Sequence, residues 1–75
     1  MKTSILAKYL ELIALQKIHA LPGTENVVSA HIERSGGKWA LIASVKEGAD
    51  IPRIQDAVRK TERDLQQRYE LLEDR

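Results

Sequence analysis

Apolar and polar positions change period twice along this chain. Over residues 4–20 they recur at three- and four-residue spacing: Leu6, Leu10 and Ile13 form one stripe, with Lys17 continuing it, and Ile5, Tyr9 and Leu12 form another. That spacing predicts an amphipathic helix. Thr3 or Ser4 is placed to cap its start, and Pro22-Gly23 to end it. Two stripes are more than one buried face needs. They fit either a helix crossing a small core with some leucines exposed, or a helix that meets the core with one face and a partner with the other. The period then falls to two. Val27–Glu33 and Trp39–Val45 read as strands, and Ser35-Gly36-Gly37 between them as a hairpin turn. On the second strand Trp39, Leu41, Ala43 and Val45 share a face opposite Ala40, Ile42 and Ser44. On the first, Val28, Ala30 and Ile32 oppose Val27, Ser29, His31 and Glu33. From residue 51 to about Leu72 the helical period returns, with Ile54, Val58, Thr61, Leu65, Tyr69 and Leu72 as the stripe. Asp50 is a good N-cap, and Pro52 sits in the first turn, where a missing N–H costs nothing. The pairs Asp56–Lys60 and Asp64–Arg68 have i,i+4 spacing on a charged, solvated surface.

The predicted class is α+β in the order α-β-β-α, with one antiparallel hairpin packed against two helices in a single domain over residues 1–75. A lone hairpin is marginal in water. Seventy-five residues give a small core, and the absence of cysteine removes disulfides and Cys-based zinc sites. A second copy of the chain is the remaining general source of stability. The expected state is therefore a homodimer, with Leu6, Leu10 and Ile13 on the helix and Trp39 and Leu41 on the strand as candidate interface residues. The formal charge of +1 argues against strong attraction to nucleic acid or anionic membrane. No apolar run approaches the ~18 residues of a membrane span, and Lys8 and Glu11 interrupt any signal-peptide core. The expected compartment is the cytoplasm.

Chemistry-bearing residues are few. Ser4, Ser29, Ser35 and Ser44 lie in no nucleophile-elbow sequence, and a chain this size has little room for a pocket. No enzymatic activity is expected. His31 and Glu33, two apart on a strand, point the same way and could ligate a divalent metal if His19 or another chain supplied a third ligand. The plainer reading leaves both as exposed strand residues and the chain without a cofactor. Arg34, Lys38 and Trp39 cluster at the hairpin tip, a basic-aromatic combination that can bind single-stranded RNA. Trp39 can equally be a core or interface anchor. No Gly-x-x-Gly loop joins two helices, which removes the KH fold.

The stretch from Leu21 to Tyr69 resembles the cytosolic C-terminal domain of cation diffusion facilitator (cation efflux) transporters. The resembling residues are Leu21-Pro22-Gly23, a strand ending in Glu33-Arg34-Ser35-Gly36-Gly37, a strand from Trp39, Ile51-Pro52-Arg53-Ile54-Gln55 after an acidic turn, and a charged helix ending at Gln67-Arg68-Tyr69. The resemblance implies a ferredoxin-like, metallochaperone-like half that dimerises and serves a membrane transporter as a regulatory module. It does not carry over the family's metal site, because Val28, Ala43 and Asp56-Ala57 stand where that family commonly has ligand histidines. The family's closing strand after the second helix is expected to be missing or cut short at Asp74-Arg75. Gly48 and Ile51-Pro52 also resemble the alkaline-shock protein family, which implies a stress-response adaptor. The spacing of Trp39, Glu47, Ile51, Pro52 and Asp56 resembles a gas-vesicle accessory family, which continues as strand where this chain reads as helix.

Overall fold

The computed structural model describes residues 2–72. Six elements follow one another: β1 (Thr3–Ile5), α1 (Ala7–His19), β2 (Val27–Ser35), β3 (Lys38–Val45), α2 (Ile51–Arg68) and β4 (Tyr69–Leu71). The class is α+β, with the β2–β3 hairpin packed against both helices. The α-β-β-α order is extended by a short strand at each end. Thr3, Ser4 and Ile5 pair in parallel with Tyr69, Glu70 and Leu71, and the Leu72 N–H continues the pairing to the Ile5 carbonyl at 2.8 Å. This corrects the two helix boundaries. Residues 3–5 leave the first helix for β1, so α1 begins after Leu6 without a side-chain cap, and neither Thr3 nor Ser4 caps it. Residues 69–71 leave the second helix for β4, so a strand does follow α2. The chain end at Asp74 and Arg75 lies outside the described residues.

The order β-α-β-β-α-β is that of the ferredoxin-like plan, but the pairing is not. β1 and β4 form one two-stranded sheet and β2 and β3 another, with no ladder between them among the described residues. The hairpin turn has two residues. Ser35 pairs with Lys38, and Gly36 and Gly37 take φ of 55° and 81°. A tight turn that follows the strands' own twist needs positive φ at both positions.

Both helices lie on one face of the hairpin. The core is Leu10, Ala14 and Ile18 of α1, Val27 and Ala30 of β2, Leu41 of β3, and Ile54 and Leu65 of α2. Asp50 accepts from the Arg53 N–H at 3.3 Å, and Pro52 sits in the first turn of α2, both as the sequence predicts. One face assignment is reversed. Val27 pairs with Val45 and Ser29 with Ser44, leaving Val28 unmatched in a bulge. The extra residue shifts the alternation by one, so Val27 turns into the core and Val28 faces out.

The helices also close the hairpin's edges. The Glu11 carboxylate of α1 accepts from the Ile32 N–H on the free edge of β2 at 2.8 Å. On the free edge of β3, Glu62 of α2 accepts from the Leu41 N–H at 2.8 Å, and the Gln66 amide donates to the Trp39 carbonyl at 2.9 Å. Unpaired edge groups would otherwise need water or another strand.

At the end of α1 the buried Thr24 hydroxyl lies 2.7 Å from the Ile18 carbonyl oxygen and 2.8 Å from that of Leu21, and the Ile18 carbonyl also accepts from the Leu21 N–H at 3.0 Å. The preceding Gly23 has φ of +81°, and a Cβ there would overlap Cδ of Arg53. The arginine can swing aside, but the backbone cost stays. Gly23→Ala is expected to lose about 1–2 kcal/mol, read as a lower urea midpoint. An unchanged midpoint would show that the turn has another conformation in solution.

Asp64 joins the helices: its carboxylate meets Lys17 of α1 at 3.4 Å and Arg68 at 3.0 Å. Desolvation works against the charged form. The hydrogen bond from Lys17 and the charge and hydrogen bond of Arg68 outweigh it, and the pKa is held below the ordinary 3.8. A depressed carboxylate stabilises the fold above its unfolded pKa and loses that effect as pH falls through its folded one. Asp64→Asn should therefore melt slightly lower than the parent at pH 7, and the gap should close below pH 3.8. A gap that persists in acid would place the effect in packing.

Candidate functional site

The hairpin's second face is left open. Helices cover the side with Val27, Ala30 and Leu41. The opposite side carries Val28, His31 and Glu33 of β2 and Ala40, Ile42 and Ser44 of β3, all exposed. Val28 and Ile42 are its large apolar residues, 52% and 43% exposed. His31 pairs across the strands with Ile42, and its ring nitrogen lies 3.1 Å from the Ser29 hydroxyl. Charge lies at the two ends. Glu33 stands near the turn, paired with Ala40. Continued alternation brings exposed Lys46 to the far end, where its backbone N–H bonds the Asn26 carbonyl at 2.9 Å. The face thus carries Ile42 beside His31 at its middle and Val28 toward the far end, with an acid at the turn end and a base at the other.

The predicted interface residues divide. Leu10 and Leu41 are core residues of the chain itself, 0% and 5% exposed, and are not available to a partner. Leu6, Ile13 and Trp39 are half-buried, the last two packed against the core. The outer side of α1 is presented instead by Tyr9 and Leu12, both exposed, with the Lys8 ammonium 5.2 Å from the centre of the Tyr9 ring. The three candidate metal ligands also divide. His31 and Glu33 share the open face, whereas the His19 ring bonds the Val27 carbonyl at 2.8 Å, where α1 meets β2. Among the described residues no three His, Asp or Glu side chains are grouped to hold a metal ion, and no helix is long and apolar enough to cross a membrane.

The hairpin tip holds more than its sequence neighbours. Arg34, Lys38 and Trp39 border an open cleft of about 830 Å³, whose other wall is Lys2, Tyr69 and Glu70. The Arg34 guanidinium donates to the Leu72 carbonyl and ties the tip to the end of β4. Lys2 and Tyr69 are far from the tip in sequence. The β1–β4 pair brings them to it, and neither three-residue strand has a pattern long enough to announce itself. Val28 and Ile42 could be found in the sequence as the apolar members of the strands' polar faces, once the bulge is known.

Comparison of the chain with protein-family models, curated proteins and solved structures found no match in any of the three.

Proposed function

We propose that this chain is a non-enzymatic interaction module that acts as a homodimer, two copies stacking hairpin on hairpin. The observation that carries this reading is the open face, apolar at Val28 and Ile42 and oppositely charged at its two ends. A two-fold axis near the middle of the hairpin sets Ile42 against the partner hairpin and brings the Glu33 end of one copy over the Lys46 end of the other. The face is therefore complementary to itself, as a symmetric dimer requires. Stacked sheets pack about 10 Å apart, close enough for the apolar side chains of both faces to leave water. The reading keeps the dimerising scaffold that the transporter-domain resemblance implies. It leaves out that family's metal chemistry, since Val28, Ala43, Asp56 and Ala57 hold the ligand positions.

Few large side chains are involved, so the dimer should be weak, with Kd on the order of 1–50 μM. Sedimentation equilibrium should show the average mass rising with concentration toward twice the 8.5 kDa of the chain. A constant monomer mass up to about 0.5 mM, well above that Kd range, would refute the reading.

A further inference from the structure

The cleft at the hairpin tip has a chemistry of its own. Among the described residues three cations, Lys2, Arg34 and Lys38, and one acid, Glu70, line it. The described lining is therefore net positive, on a chain whose formal charge is only +1. Two aromatic rings, Trp39 and Tyr69, line the same cleft. Both are half-buried and packed against the core, which fixes them while the cleft side stays open. Gly36 and Gly37 leave the turn without side chains, and their Cβ positions face open space, so an extended polymer can pass close to the backbone.

We propose that this cleft binds single-stranded nucleic acid, one or two unpaired bases stacking on Trp39 and Tyr69 while Lys2, Arg34 and Lys38 neutralise the flanking phosphates. The pairing of the two chemistries selects this ligand. An acidic peptide would use the cations and leave the rings unused. A duplex hides its base faces and offers phosphates alone. Stacking on aromatic side chains with cations along the backbone is the common mode of sequence-tolerant single-strand binding. The cleft lies at the hairpin tip, apart from the Val28–Ile42 face, and its function does not require the dimer.

Trp39 is the chain's single tryptophan, so its fluorescence reports this cleft alone. Titration with oligouridylate and oligothymidylate is expected to quench it saturably. Neutralising two or three phosphates gives a slope of log affinity against log salt of about −1.4 to −2.1. Binding of either strand supports the site, and the tighter one names the polymer. Lys2→Glu with Lys38→Glu, both at exposed positions, should weaken binding about tenfold or more and flatten the salt slope, with the circular dichroism spectrum unchanged. Tyr69→Leu should weaken binding while keeping the slope. Absence of quenching at about 50 mM salt, where phosphate contacts are strongest, would overturn the proposal. So would equal quenching by dextran sulfate, which has no bases, or undiminished affinity in the double charge-reversal variant.

Discussion

Aspartate at position 41 is expected to unfold this chain, and aspartate at position 42 to leave it folded and monomeric. The two positions are consecutive on β3 and point to opposite faces. Leu41 is 5% exposed among Leu10, Ile54 and Leu65. Loss of its side chain alone costs roughly 2–5 kcal/mol, and a carboxylate buried without a partner costs several more. A domain of this length has about 4–11 kcal/mol in total, so Leu41→Asp should show no cooperative melting transition. Ile42 faces outward, and Ile42→Asp should shift stability by no more than about 1 kcal/mol. Its effect belongs to assembly: like charges meet near the two-fold axis, and the sedimentation mass should stay at that of one chain at every concentration. An Ile42→Asp chain that melts normally and still dimerises would move the interface elsewhere, with Tyr9 and Leu12 on the outer side of α1 as the next place to look.

Replacing Glu11 and Glu62 together with alanine is expected to destabilise the fold by about 2–4 kcal/mol. Each carboxylate accepts from one edge N–H of the hairpin, Ile32 on one side and Leu41 on the other. A hydrogen bond to a charged group contributes more than a neutral one, and the deserted N–H is left without its partner. The two N–H groups sit on cross-strand partners, Ile32 and Leu41, so the single variants are measured beside the double one to read their coupling. Urea denaturation measures the loss. A second consequence is read by light scattering: two bared edges invite strand pairing between molecules. The double glutamine variant is the control, since its amide oxygen still accepts, and it should lie between parent and alanine variant in both measurements. An alanine variant as stable as the parent would show that water serves these edges equally well.

What could be read from the residues follows the strength of the local signal. Gly36-Gly37 between two alternating runs specifies a hairpin, because few residues other than glycine accept positive φ at both turn positions. Asp50 and Pro52 mark the start of α2 for reasons internal to a single helical turn. β1 and β4 were not readable. Ile5 and Leu6 continue the spacing of α1, Tyr69 and Leu72 continue that of α2, and only a partner more than sixty residues away, Tyr69 for Thr3, decides otherwise. The bulge at Val28 is likewise a property of two strands together. So are the roles of Glu11, Glu62 and Gln66, which on their own helices look like ordinary solvated positions. Of the tip cleft, the part local in sequence was visible as Arg34, Lys38 and Trp39. Lys2 and Tyr69 reach it through the fold.

The β1–β4 pair has a mechanical consequence. The strands are parallel and belong to opposite ends of the described chain. Tension applied from residue 2 on one side and residue 72 on the other pulls β1 and β4 past each other along their own length. Their hydrogen bonds then share the load in shear and must fail together, whereas an antiparallel pair pulled from the same two ends would open one bond at a time. Short as it is, this latch would be the first element to carry force in a chain tethered at both ends, and the hairpin bears no load until it gives way.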